Sequence, residues 1–233
     1  MKIVCLTPTY GMPKRILDNI FACFRAQEHA NKFLFIYDDF GNVPQQAGSD
    51  YAALSTSYRA PSLPGKYNIM LELLKDVCPD WEAIAMMDSD DVYLPLHLSL
   101  ADACLQHRQW AHPEQIVSAY YNPPRLENAA GRFHGALVIR RDLVEYLNGW
   151  ADSLRATFDQ EFLAACGQEG GAPGRPVKPT YVYRWQSTGT FHCSGIMGQA
   201  DWYAKTQPTV QEAIGLLEPI ADDETLRLMS AWG

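Results

Sequence analysis

The sequence predicts an α/β protein with a mostly parallel central sheet flanked by helices. Short apolar runs, typical of buried strands, alternate with amphipathic stretches through the first half of the chain. The order strand, helix, strand, loop, helix, strand implies right-handed crossovers between parallel strands. The second half has a more mixed pattern, and the chain contains neither an internal repeat nor a clear linker.

Each predicted element rests on apolar periodicity and on turn residues at its ends. Strands are predicted over 3–6, 33–37, 83–87, 115–121, 134–139 and 180–183, and helices over 14–27, 67–76, 96–110, 142–147, 159–166 and 210–217. The segment 43–57 is interpreted as a loop with a short strand, and 123–131 as an excursion or hairpin.

Composition narrows the class of protein. The 233 residues contain 47% hydrophobic residues, enough for a substantial core, and carry a formal net charge of −8. An acidic balance argues against broad nucleic-acid binding, although it leaves a local basic groove open.

The six cysteines form no Cys-x-x-Cys pair and mostly lie in apolar contexts. We therefore expect buried free thiols and a reducing, cytoplasmic compartment. We see no signal-peptide pattern and no apolar stretch long enough to span a membrane.

The most informative motif is an apolar run over 83–87 that leads directly into the carboxylates of Asp88, Asp90 and Asp91. These would lie at the carboxyl end of a buried strand, where open α/β sheets bind ligands. Three like charges repel one another, and hard oxygen ligands favour Mg²⁺ or Mn²⁺ as the neutralising cation. The alternative is a polar turn that caps a helix, since Ser and Asp are good N-caps.

Two other strand ends carry polar clusters, namely Thr7-Pro8-Thr9-Tyr10 and Asp38-Asp39. Since the carboxyl ends of parallel strands share one edge of a sheet, we expect all three clusters to converge on a single ligand.

These motifs resemble those of the inverting GT-A-fold glycosyltransferases of family 2. The resemblance covers about residues 1–167 and rests on Leu6-Thr7-Pro8-Thr9-Tyr10, Ile36-Tyr37-Asp38-Asp39-Phe40-Gly41, Gly65-Lys66-Tyr67-Asn68, the segment 87–95, Gly131-Arg132-Phe133-His134-Gly135, Ile139-Arg140-Arg141 and Phe158-Asp159-Gln160-Glu161-Phe162. It implies a Rossmann-like GT-A fold and a metal-dependent enzyme that uses Mn²⁺ or Mg²⁺. The reaction would move a sugar from a nucleotide-diphosphate-sugar, with a UDP-sugar favoured, to a hydroxyl acceptor.

The resemblance also implies a division of the chain. Residues 1–121 would bind the nucleotide-sugar, 122–200 would form the acceptor and catalytic half, and 201–233 would be a helical extension of a single catalytic domain.

On the nucleotide side, the resemblance places Pro8, Thr9 and Tyr10 in the pocket, with Tyr10 stacked on the base. Asp39 would accept a hydrogen bond from the base, although Phe40 departs from the Gly or Asn usual after this Asp pair. The alternative is an Asx turn at Asp38-Asp39-Phe40-Gly41. Lys66, with Arg15 as a weaker candidate, would meet the diphosphate, unless it is a solvated surface lysine.

The resemblance assigns Asp88 to the ribose or the metal and Asp90 to the metal. Asp91 would be a further ligand, a supporting residue of the sugar site, or a cap. His192 is a candidate third ligand from a C-terminal loop.

Inverting transfer needs a base to deprotonate the acceptor hydroxyl, and burial raises a carboxyl pKa toward that task. Asp159 is the candidate and Glu161 the reserve, and the alternative is that Asp159 caps a helix. Gly135 would allow close approach to the sugar, His134 would touch donor or acceptor unless it is structural, and Trp185 would form an acceptor platform unless it packs in the core.

Two other classes of function stay open. A nucleotidyltransferase of similar fold would show a Gly-rich basic loop after the first strand, whereas 9–15 contains only Gly11. A non-catalytic nucleotide-sugar-binding module would keep the fold without the chemistry. Hydroxymethylated bases in phage DNA are a minor possibility for the acceptor.

Overall fold

The computed structural model describes residues 1–11, 14–41, 43–118, 125–152 and 157–183. Four parallel strands form the centre of the main sheet: β1 (Ile3–Thr9), β2 (Lys32–Asp38), β4 (Tyr51–Ser55) and β5 (Ala83–Met86). Three short strands, each paired antiparallel with its neighbour, complete it: β3 (Gln46–Ala47) beside β4, β10 (Val138–Arg140) beside β5, and β7 (Trp110–Ala111) beside β10. The order across the sheet is β3-β4-β2-β1-β5-β10-β7, which confirms the predicted α/β class.

A smaller sheet in the order β6-β11-β8-β9 lies beside the acidic motif. It is built from β6 (Val92–Tyr93), β8 (Gln115–Ser118), β9 (Arg125–Asn128) and β11 (Tyr181–Tyr183). β8 lies within the strand predicted over 115–121, and it pairs antiparallel with β9, which lies within the segment 123–131 that was interpreted as an excursion or hairpin.

The described helices are α1 (Lys14–Ala26), α2 (Leu63–Val77), α3 (His97–Leu105), α4 (Arg141–Tyr146) and α5 (Phe158–Glu169). Alternate residues of the central strands point to opposite faces. Cys5 of β1 packs in the core with α1 and α3, whereas Leu6 packs in the core with α2, α4 and α5. Both faces of the sheet are therefore covered by helices.

Two predicted elements were wrong in part. The segment 134–139 is not a continuous strand, because Phe133 adopts a left-handed backbone (φ 59°) and His134–Ala136 forms a 3₁₀ turn before β10. The helix predicted over 96–110 ends at Leu105, since Trp110 enters β7 and pairs with Ile139.

Helix α2 begins four residues earlier than the prediction. Ser62 is its N-cap, its hydroxyl accepts the Gly65 N–H at 3.0 Å, and Pro64 stands in the first turn, where its missing N–H costs nothing. Lys66 therefore lies within the helix. The predicted helix over 210–217 lies outside the described residues. Among the helices that the structure describes, none is both long and apolar enough to cross a bilayer.

Candidate active site

The predicted convergence of the three strand ends is present in the structure. Thr9 pairs with Asp38 across β1 and β2, and Leu6 pairs with Met86 across β1 and β5. The hydroxyl of Thr7 donates to the Met87 carbonyl at 2.7 Å, which ties β1 to the start of the acidic motif. All three polar clusters thus follow the same edge of the sheet.

The two aspartates after β2 have different surroundings. Asp38 is fully buried and organises the turn: its carboxylate accepts the Thr9 hydroxyl at 3.1 Å, the Ser55 hydroxyl at 2.9 Å and the Gly41 N–H at 2.9 Å. The Asx-turn geometry that the sequence allowed for this pair is therefore supplied by Asp38, which leaves the Asp39 side chain available for other contacts.

Asp39 forms a buried ion pair with Lys66 of α2. The Lys66 ammonium donates to Asp39 Oδ1 and, at 2.8 Å, to the Thr9 carbonyl, and the Ala60 N–H donates to Asp39 Oδ2 at 2.9 Å. Burial lowers the pKa of Lys66, and the hydrogen bond to Asp39 opposes that effect.

A partly exposed aromatic surface adjoins this pair. Tyr10 meets Phe40 edge-on with ring centroids 5.1 Å apart. The Arg59 guanidinium lies 4.3 Å from the centre of the Tyr10 ring, a cation–π distance. Tyr10 and Phe40 are exposed, so a planar ring of a ligand has a surface to stack on. Phe40, which departs from the family pattern, is part of this surface.

Asp88, at the end of β5, is closely surrounded by tyrosine side chains and by Gly135. Tyr67 of α2 donates its hydroxyl to Asp88 Oδ1 at 3.0 Å, and the Asp88 N–H donates to the Tyr93 hydroxyl at 2.7 Å. A Cβ on Gly135 would lie 2.8 Å from both Asp88 Oδ2 and the Tyr181 hydroxyl. Only glycine permits this close packing around Asp88.

The other members of the acidic motif are buried. Asp91 accepts a hydrogen bond from the Tyr181 hydroxyl, and its N–H donates to the Asp88 carbonyl at 3.3 Å. Asp90 is 5% exposed, and the buried Ser89 hydroxyl has no hydrogen-bond partner within the described part of the chain. The motif is thus a tight turn rather than the cap of a helix, because α3 begins only at His97.

An aromatic cluster packs behind Asp88. Trp150 stacks between Tyr67 and Phe162, with ring centroids 4.7 and 4.3 Å apart, and its indole N–H donates to His134 Nε2 at 3.0 Å. Asn68 exchanges two hydrogen bonds with the Trp150 backbone, at 2.7 and 2.9 Å. His134 is buried in this cluster, and burial lowers its pKa to about 3.

Asp159 lies in the first turn of α5, one residue inside the helix, whose N-cap is Thr157. Its Oδ1 accepts the Gln160 N–H at 2.8 Å. Burial raises the Asp159 pKa, and the Glu161 charge adds to that effect. Glu161 is exposed and accepts the Thr157 hydroxyl at 2.9 Å. Asp159 is therefore not the N-cap of α5, and the alternative that it caps this helix is wrong.

The charges of the acidic turn and of Asp159 both act on the hydroxyl of Tyr67. Its pKa is raised well above the usual range by burial first, then by the charges of Asp88, Asp90 and Asp159. The structure thus brings Asp159 near enough to the acidic motif for their charges to act on one hydroxyl.

Other predicted residues fall outside this description. His192 and Trp185 lie outside the described residues, as does the side chain of Arg15. Within the described ranges, no three His, Cys, Asp or Glu side chains are grouped to hold a metal ion.

Residue-by-residue reasoning missed Tyr67, Arg59 and Tyr181. Tyr67 belongs to the motif Gly65-Lys66-Tyr67-Asn68, so its position next to Lys66 could have indicated a role at the site. Arg59 and Tyr181 carry no local pattern, because their partners are 49 and 90 residues away.

The parallel strands β4-β2-β1-β5, the antiparallel β10 and the small sheet beside the acidic turn define the class of fold as GT-A, that of nucleotide-diphospho-sugar glycosyltransferases. Among solved structures, the chain is similar to S. aureus TarS 1–349, with a TM-score of 0.61 and 13% identity over 98% of this chain and 68% of that one. It is also similar to TarS 1–349 in complex with UDP-GlcNAc, with a TM-score of 0.62 and 14% identity over 98% and 69%.

A longer TarS structure matches with a TM-score of 0.61 and 13% identity, and the chain spans 41% of its length. No protein-family model matches the sequence, and no curated protein matches it. At these identities the similarity shows the fold.

Proposed function

We propose that this chain is a metal-dependent glycosyltransferase that moves a sugar from a nucleotide-diphosphate-sugar, with a UDP-sugar favoured, to a hydroxyl acceptor. The observation that carries the proposal is the convergence of the Asp39–Lys66 pair and the acidic turn on one edge of a GT-A sheet, close to the partly buried Asp159. The similarity to a TarS structure that holds UDP-GlcNAc supports the class of donor.

On the donor side, the exposed Tyr10 and Phe40 rings offer a stacking surface for the base. Asp39 accepts the N–H that uracil presents, since each of its oxygens keeps a lone pair beyond its contact with Lys66 or Ala60. Arg59 lies over Tyr10 and is the cation best placed to approach the nucleotide from the solvent side.

The acidic turn suits a hard divalent cation. Mg²⁺ is commonly held by one or two carboxylates together with substrate phosphates, so a cluster of three protein ligands is not required. Asp88 and Asp90 supply two carboxylates, and Ser89, whose hydroxyl has no hydrogen-bond partner among the described residues, lies between them in sequence. Mn²⁺ or Mg²⁺ held by these carboxylates would offset the negative charge of the departing nucleoside diphosphate. Asp91, bonded to Tyr181, supports the turn.

On the acceptor side, Asp159 takes the proton of the acceptor hydroxyl while that oxygen attacks the anomeric carbon and the bond to the diphosphate breaks. A base must be unprotonated yet basic enough to receive a proton, and the raised pKa of Asp159 meets this need. Attack from the face opposite the diphosphate inverts the anomeric configuration. Gly135 leaves room beside Asp88 for the sugar, while His134 supports Trp150 from within the aromatic cluster.

A nucleotide titration tests the donor site. UDP, GDP and CDP are added with and without Mn²⁺, and thermal unfolding is followed for the wild type, Asp90→Ala and Asp76→Ala. We expect stabilisation by UDP that needs Mn²⁺, is lost in Asp90→Ala and is kept in Asp76→Ala, whose side chain is exposed on α2.

Three results would contradict the proposal or a part of it. Stabilisation by no diphosphate would overturn the proposal. Binding of UDP and Mn²⁺ without hydrolysis or transfer of any UDP-sugar would favour the non-catalytic binding module instead. A product of unchanged anomeric configuration, observed by NMR, would contradict the inverting mechanism.

A further inference from the structure

Lys66 points toward the strand ends of β1 and β2, although the sequence suggested a diphosphate ligand. Its ammonium donates to the Thr9 carbonyl and to Asp39, and its side chain is 8% exposed. Two of the three ammonium protons are thus already engaged within the protein. A lysine that serves a diphosphate would be expected to present its charge to the open site.

Asp39 is held at both oxygens by donors from two different elements. Lys66 donates to Oδ1 and the Ala60 N–H donates to Oδ2 at 2.9 Å. Because the carboxylate is only 2% exposed, it would turn or be neutralised without these partners. The two contacts therefore fix the direction in which its remaining lone pairs point.

Neighbouring residues of α2 serve two different parts of the site. The charges that act most on Lys66 are those of Asp39, Asp38 and Arg59. Those that act most on Tyr67, the next residue, are Asp88, Asp90 and Asp159. Successive side chains on a helix point about 100° apart, so α2 directs one side chain to the end of β2 and the next to the acidic turn.

We propose that Lys66 is a positioning residue for the nucleobase, which orients Asp39 toward the base and makes no contact with the diphosphate. This inference rests on the proposed function, since it takes Asp39 as the acceptor of a base N–H. Uracil presents an N–H where cytosine presents a bare nitrogen, so a correctly held carboxylate favours the first and repels the second.

The affinities for uridine and for UDP distinguish a role of Lys66 at the base from a role at the diphosphate. UDP and CDP, each with Mn²⁺, and uridine without metal are titrated into the wild type, Lys66→Met and Lys66→Arg, with uridine followed by ligand-observed NMR. A hydrogen bond to a charged group is worth roughly tenfold or more in affinity. We expect Lys66→Met to weaken uridine and UDP by the same factor, about tenfold, and to reduce the preference for UDP over CDP.

Lys66→Arg keeps a cation beside Asp39 and should restore much of the preference for UDP over CDP. Lys75→Met is the matched control, because Lys75 is exposed on the same helix and pairs only with Glu72 among the described residues; it should change none of these affinities. Thermal unfolding of each unliganded variant reports whether it is folded. If Lys66→Met does not fold, the double variant Asp39→Asn with Lys66→Met is compared with Asp39→Asn alone. A further loss in the double variant that is at least tenfold larger for UDP than for uridine would then show that Lys66 binds the diphosphate.

Three outcomes overturn the inference. A loss for UDP at least tenfold larger than the loss for uridine would show that Lys66 binds the diphosphate. An unchanged UDP-to-CDP preference in the folded variants would show that Asp39 needs no positioning by Lys66. Failure of the wild type to bind any of the ligands would overturn the proposed function itself, which differs from a failure seen only in the variants.

Discussion

Asp159 is the side chain whose surroundings best match the task of a base. Burial and the Glu161 charge raise its pKa, while the Gln160 N–H holds one of its oxygens in place. The Asp159 charge also acts on the Tyr67 hydroxyl, which is bonded to Asp88. The charges of Asp159 and of the acidic turn thus both act on the hydroxyl of Tyr67.

The first prediction concerns the acid limb of the pH–rate profile. Because the Asp159 pKa is raised and the base must be unprotonated, kcat/KM should fall as the pH drops through a value above the ordinary aspartate range. Asp159→Asn should lower kcat by about 10²- to 10⁴-fold and remove this limb, since the amide accepts no proton. Steady-state kinetics across pH measure both effects.

Glu161→Gln is the matched control, because this carboxylate is exposed and lies two residues away on the same helix. It should keep most of the activity, and UDP should bind Asp159→Asn as well as it binds the wild type. An equal loss of activity in both variants would remove Asp159 from the role of base.

The two adjacent aspartates after β2 show which features a sequence pattern can predict and which it cannot. Asp38 and Asp39 are equivalent by pattern, yet the first organises a turn and the second pairs with Lys66. The sequence pattern alone predicted a polar cluster at the end of this strand. The division of roles depends on donors from Ser55, Ala60 and α2, which are distant in the chain.

The 3₁₀ turn before β10 places the backbone directly against Asp88. A strand was predicted here from apolar periodicity, and the left-handed Phe133 breaks it. Gly135 then lies where any Cβ would be 2.8 Å from Asp88 Oδ2, closer than van der Waals contact allows. The turn therefore shapes the acidic site as well as connecting two parts of the fold.

The second prediction follows from this contact. Gly135→Ala should push the Asp88 carboxylate away from Tyr67 and weaken Mn²⁺-dependent UDP binding roughly tenfold, the value of one hydrogen bond to a charged group. Calorimetric titration of UDP with Mn²⁺ measures the change.

Gly167→Ala is the control for a glycine replacement, because among the described residues its Cβ would meet only Trp110, at 3.9 Å. It lies within α5 and should stabilise the protein by roughly 0.5–1 kcal/mol without changing UDP affinity. Unchanged UDP affinity in Gly135→Ala would show that Asp88 tolerates displacement.

At the scale of the whole molecule, three histidines among the described residues are buried and neutral in the folded state. Burial lowers the pKa of His97 and His112 to about 4 and that of His134 to about 3. His134 accepts the Trp150 indole N–H through Nε2, and His97 Nε2 has no hydrogen-bond partner within the described residues. Protonation of His134 Nε2 would therefore break its hydrogen bond with Trp150. Protonation of His97 Nε2 would place a charged N–H in a buried position without an acceptor among the described residues.

The third prediction is a loss of stability in mild acid. Above pH 6.5 these histidines are neutral in both the folded and the unfolded chain, so they add no pH dependence. Below pH 6.5 the unfolded chain binds protons that the folded protein refuses, down to about pH 4. The free energy of unfolding should fall by up to about 1.4 kcal/mol per pH unit for each histidine.

Urea denaturation at pH 7.5, 6.5, 5.5 and 5.0 measures how the free energy of unfolding changes with pH. This range lies above the pH at which most carboxylates titrate, so the change reports on the histidines. His97→Asn should make the slope shallower, whereas His107→Gln, at an exposed position, should leave it unchanged. A flat stability from pH 7.5 to 5.0 would contradict the prediction.

The sequence alone predicted the α/β class, the parallel strands, the acidic motif and the edge of the sheet at which the polar clusters meet. Those features depend on local periodicity and on where polar residues follow apolar runs, which the chain displays directly. The Asp39–Lys66 pair, the contact between Tyr67 and Asp88, and the need for glycine at position 135 emerged only from the folded arrangement, because each joins residues 21 to 47 positions apart. No local pattern encodes such contacts, since packing of helices against the sheet determines which distant side chains meet.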